Sequence, residues 1–390
     1  MRIAKWYLVM EYWPVAGKAV RRFLDEVCER MRWRDLVCET KPSAAVVAAR
    51  LAMRGLALPY SVGVRVRNLL YQRGWKSVHR AEVPVVSVGN LSVGGTGKTP
   101  MVSFLCRQLR AEGVRAAVLS RGYGQLDDGL NDEALELELL HPDVPHLQHP
   151  DRVASARIAV EQLEMEALVL DDGFQHRRLH RDLDIVLIDA TDPDAAWRTF
   201  PAGVLREPLS ALRRCHVVVL TRTDQVCEPR LQALERRLQR FVDAEQICRS
   251  VHRARRLVGY PDHEVAFPTN AGEPVLAFCG IGNPQAFFRQ LEMLGFDLLD
   301  RRIFPDHHAY QADDVLALQR WVDAVPAAQR VLCTMKDLVK LQAESLGGKP
   351  LQALGIEMEL IPPSAYWHEV WGRFRTLIRL QKTTTCTSDF

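Results

Sequence analysis

The chain has 390 residues, 47% apolar and 25% charged, with a formal net charge of +3. Those proportions belong to an ordinary globular protein and exclude a disordered chain, a collagen and a coiled-coil rod; the small net charge gives no sign of nucleic-acid binding. The 9 cysteines are scattered, without a Cys-x-x-Cys pair, which argues against a zinc ribbon or a disulfide framework and fits a reducing compartment.

Residues 1–42 have mixed charge and carry Trp6, Trp13 and Trp33. They read as an N-terminal extension to which no role is assigned. Residues 1–82 together hold 16 Lys and Arg against 7 Asp and Glu, a local net of +9 that leaves −6 for the rest. No stretch approaches the roughly 18 consecutive apolar residues of a membrane span, and no secretory signal is expected at Met1.

Residues 43–82 interleave Val46, Val47, Leu51, Leu58, Tyr60, Leu69 and Trp75 with Arg50, Arg54, Arg65, Arg67, Arg73, Lys76 and Arg80; Glu82 is the only acid. A basic amphipathic helix with interfacial aromatics suits an anionic membrane surface. The competing reading is a helix packed on its own domain with a solvated basic face.

From Val83 short apolar runs alternate with helical stretches. Val83–Val88, Ala116–Leu119, Ala167–Leu170, Ile185–Ile188 and Cys215–Leu220 read as strands, and a helix is expected from about Thr99 to Glu112. That alternation predicts a parallel sheet covered on both faces. The expected fold is a P-loop NTPase-like α/β/α sandwich over residues 83–248, plus a second, smaller α/β domain over 275–380. Residues 249–274, with Pro261, Pro268, Gly272 and Pro274, read as an interdomain linker, and 381–390 as a frayed tail.

The strongest local signal is Val83-Pro-Val-Val-Ser-Val-Gly-Asn-Leu-Ser-Val-Gly-Gly-Thr-Gly-Lys-Thr-Pro100. A strand runs into a glycine-rich loop, and Gly97-Lys98-Thr99 opens a helix. Backbone N–H groups and the helix N-terminus then face phosphates. The pattern assigns Gly94, Gly95, Thr96, Gly97, Lys98 and Thr99 to nucleotide binding, with Lys98 on the β- and γ-phosphates and the Thr99 hydroxyl on Mg²⁺. Ser92 stands where the usual pattern has its first glycine. About 70 residues on, Ala167-Leu-Val-Leu-Asp171-Asp172-Gly-Phe-Gln-His176 is an apolar strand ending in carboxylates, the place of a Mg²⁺-binding acid. Two adjacent acids leave open which one takes the metal directly, and an Asp-Gly strand-end turn is the alternative. Gln175 and His176 follow on the same loop, near nucleotide or substrate.

Gly89–Pro100, Ser120-Arg-Gly-Tyr-Gly124 and Asp171–His176 together resemble the tetraacyldisaccharide 4′-kinase (lipid A kinase) family. Pro201–Leu209, Gly280-Ile-Gly-Asn-Pro284, Phe304-Pro-Asp-His-His308 and Thr334-Met-Lys-Asp337 match further motifs in order, so the resemblance covers about residues 47–375. It implies two α/β/α domains with the active site between them. It also implies ATP-dependent phosphorylation of the 4′-hydroxyl of tetraacyldisaccharide 1-phosphate, giving lipid IVA. A sugar hydroxyl is a poor nucleophile and needs a base. The family's base is an Asp in a Gly-Asp-Glu-Pro motif; the matching residue is Asp132, in Asn131-Asp-Glu-Ala134, which departs at both flanks. His307 matches its partner. The resemblance further suggests Glu207 in the metal shell; Arg206 and Arg121 are candidates to clamp phosphate, since a planar guanidinium suits an oxyanion. A glycolipid substrate gives residues 43–82 a purpose: peripheral docking at the cytoplasmic face of the inner membrane, with about 1 kcal/mol per basic residue near an anionic leaflet.

Two other classes compete. Val217–Asp224 ends in Thr-Arg-Thr-Asp where a GTPase has its guanine motif, but the Asn-Lys of that motif is absent. A membrane-partitioning ATPase switch often has a second lysine before its phosphate loop, and Val93 fills that position. Neither class gives Phe304–His308 a role.

Overall fold

The structure is a computed structural model that describes residues 44–93, 95–122, 132–192, 197–261, 263–267, 271–282, 284–306, 308–361 and 364–387. In chain order the elements begin with α1 (Ala44–Gln72), β1 (Val85–Asn90), α2 (Lys98–Ala111), β2 (Ala116–Ser120), α3 (Asp132–Leu140), β3 (His146–Gln148) and α4 (Arg152–Glu161). β4 (Ala167–Asp171), β5 (Leu183–Asp189), β6 (Val217–Thr221), α5 (Glu228–Leu238), β7 (Ile247–Gly259), β8 (His263–Val265) and β9 (Glu273–Cys279) follow. Last come α6 (Pro284–Met293), β10 (Phe296–Ile303), α7 (Ala312–Asp323), β11 (Arg330–Thr334), α8 (Met335–Leu341), β12 (Ser345–Leu346), β13 (Lys349–Ile361) and α9 (Ala365–Thr387).

Two compact units result. The first is formed by the described residues within 1–124, 147–251 and 360–390, the second by those within 125–146 and 252–359. In the first, parallel strands lie in the order β6-β5-β1-β4-β2, with the opening residues of β7 beside β6. Strands β1, β2, β4, β5 and β6 are buried along their whole length, as expected for a parallel sheet covered on both faces. The chain leaves β1 toward β2 and β4 on one side, then crosses to β5 on the other. β1 is therefore where strand order reverses, and ligands bind beyond the carboxyl ends of strands at such a point. Register places Val88 of β1 opposite Asp171 of β4, so the glycine-rich loop and the acidic strand end leave the sheet side by side.

In the second unit the order is β10-β9-β11-β13, all parallel, with the later residues of β7 beside β13 and β8 antiparallel to β7. Its cores gather Leu276, Phe278, Leu318, Trp321 and Leu338 on one side and Phe287, Phe288, Leu291 and Leu332 on the other.

The expected α/β class and the strand alternation hold, but the division along the chain is not linear. Residues 132–146 join the second unit because Leu139 and Leu140 of α3 pack into its core. The last helix returns to the first unit: Trp367 lies 5.9 Å from Phe104 and Arg375 pairs with Glu112 at 3.5 Å. Residues 249–274 are not a linker. They hold most of β7, then β8, because Val251, Leu257 and Val258 are buried while Arg255 and Arg256 pair with Glu359 and Glu357. The tail expected to fray from 381 is helical to Thr387. The expected basic helix is α1; residues 1–42 lie outside the described residues.

Candidate active site

The phosphate loop is built by the exit of β1. Gly97 takes a left-handed backbone (φ 89°) and α2 starts at Lys98. The loop is tied on several sides. Asn90 Nδ2 donates to Thr96 Oγ1 at 2.9 Å, Thr221 Oγ1 donates to the Thr96 carbonyl at 3.0 Å, and Arg222 donates to the Gly95 carbonyl at 3.0 Å while pairing with Asp189. Val93 N donates to the Val204 carbonyl at 2.8 Å. Thr96 and Thr99 are buried and Gly95 is exposed. Gly94 lies outside the described residues.

The loop after β4 packs directly on β1. A Cβ on Gly89 would stand 2.5 Å from the Phe174 Cβ and 2.7 Å from its amide nitrogen. One on Gly173 would stand 2.4 Å from Ser87 Oγ. Both glycines are required by this close approach, which brings Asp172 to the loop. Lys98 Nζ is 3.7 Å from Asp172 Oδ1, and Arg206 donates to both Asp172 oxygens at 3.0 and 2.8 Å. Burial would raise the Asp172 pKa, but the charges of Arg206 and Lys98, with Arg152 behind them, hold it well below the usual carboxylate range. Asp171 is 5% exposed; its Oδ1 accepts from the Asp172 amide at 2.8 Å. Gln175 Nε2 donates to the Asn90 carbonyl at 2.8 Å. The His176 ring is held neutral, its pKa lowered to about 3 by burial and then by Arg152, Arg178 and Arg181. Gln175 Oε1 and His176 Nε2 are buried with no hydrogen-bond partner among the described residues. Arg121 is half-buried just beyond the carboxyl end of β2, on the same sheet edge.

Glu207 is placed differently from the metal-shell expectation. It is 1% exposed, with Oε2 and Oε1 accepting from Arg214 at 2.8 and 3.0 Å and Oε2 also from Asn68 at 2.8 Å. Any metal contact would cost those bonds. Here the carboxylate anchors α1 to the 199–207 segment, helped by Tyr60 Oη donating to the Arg206 carbonyl at 2.7 Å and by the Ser61–Thr199 hydroxyl pair, also 2.7 Å apart. The first unit thus brings together Lys98, Thr99, Asp171, Asp172 and Arg206. Asp132 opens α3 in the second unit, with its side chain outside the described residues; His307 is outside them altogether.

Sequence reasoning missed Arg152, Arg214 and Asn68. Arg152 is 4% exposed and donates to the Asp171 carbonyl at 3.3 Å. An arginine at a helix start reads as solvated, and only the β4 register reveals that this one is not. Arg222 was visible as part of the Thr-Arg-Thr-Asp segment; its bond to the phosphate loop was not. No group of three or more His, Cys, Asp and Glu side chains suited to a metal occurs among the described residues. The oxygen donors present are the Thr99 hydroxyl and two carboxylates. That set suits Mg²⁺, which takes one or two carboxylates plus substrate phosphates rather than a full protein cage.

The family described as tetraacyldisaccharide-1-P 4′-kinase matches this chain over residues 49–374. The tetraacyldisaccharide 4′-kinase of Geobacter sulfurreducens is 38% identical over 354 residues, covering 85% of this chain and 96% of that one. The enzyme of the same name from Anaeromyxobacter sp. (strain K) is 37% identical over 352 residues, covering 85% and 91%. Among solved structures, LpxK from Aquifex aeolicus, an "apo" form in complex with ATP, is 31% identical with a TM-score of 0.67, covering 84% of this chain and 99% of that one. With a matching phosphate loop, acidic strand end and nearly full-length relatives, the chain belongs to the tetraacyldisaccharide-1-P 4′-kinase family.

Proposed function

We propose that the protein transfers the γ-phosphoryl group of ATP to the 4′-hydroxyl of tetraacyldisaccharide 1-phosphate, forming lipid IVA in lipid A biosynthesis. The observation that carries this reading is the convergence of Lys98, Arg206 and Asp172 at the phosphate loop, in a chain of this family. Phosphoryl transfer asks a protein mainly for positioning and charge stabilisation. Lys98 and Arg206 supply positive charge for the phosphates, held at the loop by Asp172, and Arg152 backs the Asp171 strand end. Arg121, Gln175 and His176 line the same edge as further contacts for nucleotide or sugar. Thr99, Asp171 and Asp172 would hold Mg²⁺, which when bound neutralises charge on the β- and γ-phosphate oxygens. Asp132 takes the proton of the 4′-hydroxyl, and His307 orients that carboxylate.

The substrate's acyl chains require docking at a lipid surface, and α1 has a face for it. Val46, Met53, Ala57, Tyr60 and Val64 are buried against the first unit. Val47, Leu51, Leu58, Val62, Val66 and Leu69 recur at separations of three, four and seven on another face and are 43–69% exposed. Arg50, Arg54 and Arg65 flank that stripe at helical spacing. A groove of about 370 Å³, lined by Arg54, Ala57, Trp197, Arg198 and Leu209 among others, opens on the same helix. No helix among the described residues is long and apolar enough to cross a membrane. Peripheral docking on the cytoplasmic face of the inner membrane fits a basic, apolar helix.

The test offers the enzyme two lipids in detergent micelles with ATP and Mg²⁺: tetraacyldisaccharide 1-phosphate with a free 4′-hydroxyl, and the same lipid with that hydroxyl methylated. Mass spectrometry should find phosphate added only to the first. Addition to the methylated lipid, or to neither, refutes the reading.

A further inference from the structure

The Thr334-Met-Lys-Asp337 segment has no part in the chemistry above, yet its side chains make several hydrogen bonds and an ion pair within the second unit. It turns β11 into α8. Asp337 is fully buried and makes no ion pair among the described residues. Burying an unpaired carboxylate is costly unless hydrogen bonds compensate. Here they do: the Gly280 amide donates to both oxygens at 3.1 and 3.2 Å, Tyr310 Oη at 2.9 Å and Thr334 Oγ1 at 2.6 Å. Burial and the Asp337 charge push the Tyr310 phenol above its ordinary pKa, so it remains a donor.

Those donors frame the segment that contains His307. On its near side, Phe304 N donates to the Cys279 carbonyl at 2.8 Å, one residue before Gly280. A Cβ on Gly280 would stand 3.1 Å from Asp337 Oδ1 and 3.2 Å from the Pro305 carbonyl, so the glycine permits this approach. On its far side, Lys340 Nζ donates to the His308 carbonyl at 3.2 Å, and His308 Nε2 lies 2.9 Å from Asp314. The rings of Phe304, His308 and Tyr310 pack against one another at 4.9–5.1 Å.

Lys336, the residue before Asp337, reaches another element. Its Nζ is 3.7 Å from Glu133 Oε1, and Glu133 is the residue after Asp132 in the first turn of α3. Leu139 and Leu140 of the same helix pack into the core that holds Met335 and Leu338 of α8. One short segment therefore bonds to Gly280 and Tyr310, which pack on the stretch around residue 307, and to the neighbour of Asp132.

We propose that residues 334–337 are a positioning element for the proton-abstracting pair: Asp337 sets the segment that carries His307, and Lys336 sets the helix end that carries Asp132. This rests on the assignment of Asp132 and His307 as base and partner. The experiment measures kcat and KM in Lys336→Met, Lys336→Arg, Asp337→Asn, Asp132→Asn, His307→Ala and the double variant Lys336→Met/Asp132→Asn, with melting temperatures alongside. Lys336→Met should lower kcat by about 10- to 100-fold through misplacement of the reacting groups while leaving KM for ATP unchanged. Lys336→Arg should restore most of it. In the Asp132→Asn background, Lys336→Met should cost nothing further, because its effect passes through Asp132. Normal kcat in Lys336→Met, or losses that multiply in the double variant, would overturn the proposal. Should Asp337→Asn fail to fold, the Lys336 variants still decide. Normal turnover in Asp132→Asn and His307→Ala would instead remove the base assignment, and the positioning role with it.

Discussion

Replacing Arg214 with methionine strands a buried carboxylate. Glu207 is 1% exposed and loses both Arg214 bonds, at 2.8 and 3.0 Å, keeping only Asn68. Breaking a buried pair by removing one partner costs about 3–5 kcal/mol. Arg214 also donates to the Phe174 carbonyl at 3.1 Å, worth about 1 kcal/mol more. Its guanidinium stands 3.7 Å over the Phe174 ring, and methionine keeps part of that packing. The expected loss is about 4–6 kcal/mol, or a fall of roughly 8–12 °C in the melting temperature of a unit this size, read by scanning calorimetry. The double variant Arg214→Met/Glu207→Met should recover most of it, since replacing both partners with apolar groups is often neutral. Glu207→Gln separates anchor from metal ligand: as an anchor it leaves the Mg²⁺ dependence of turnover unchanged. A single-variant loss below about 1 kcal/mol, or a double variant no better than the single, refutes the reasoning; the first is the range of an exposed pair.

Gly89→Ala places a methyl group against the Phe174 backbone and should cost about 1–3 kcal/mol or more by overpacking; a melting temperature equal to wild type contradicts the contact. His176 gives a pH signature. Its folded pKa of about 3 lies below the unfolded value of roughly 6.5, so the unfolded chain takes up the proton first as pH falls. The contribution is complete above about pH 6.5 and is lost progressively toward pH 3. His176→Asn should flatten the melting temperature between roughly pH 4 and 6.5; slopes identical to wild type contradict the buried neutral ring. On α1, Leu51→Ser with Leu58→Ser should weaken sedimentation with anionic vesicles by up to about 1.5–3 kcal/mol per side chain, while added salt weakens the arginine part. Unchanged vesicle binding would remove the docking face.

The phosphate loop and the Asp171–Asp172 strand end were legible because each is local: a strand, a turn and a few residues whose types the chemistry dictates. The partners of those residues were not. Arg152 beside Asp171 and Asn68 beside Glu207 come from distant segments, and their place depends on register, such as Val88 opposite Asp171, which no local pattern states. Residues 249–274 read as a linker on Pro261, Pro268, Gly272 and Pro274, and nothing local shows that the arginines of β7 have Glu357 and Glu359 beside them. Order along the chain puts residues 132–146 and the last helix in the wrong units, because membership follows the cores that Leu139 and Leu140, and Trp367 and Trp371, fill. Asp132 and His307 rest on family likeness; a lone aspartate and a lone histidine carry no such signal by themselves.

The most direct test of the central claim follows the γ-phosphoryl group. Purified protein is incubated with γ-labelled ATP, Mg²⁺ and tetraacyldisaccharide 1-phosphate in micelles, beside Lys98→Ala. Label should enter the lipid with wild type. Lys98→Ala should remain folded, by melting temperature, and transfer none, because Lys98 acts on phosphate charge. Hydrolysis of ATP with no label in lipid, or equal transfer by Lys98→Ala, would contradict the account.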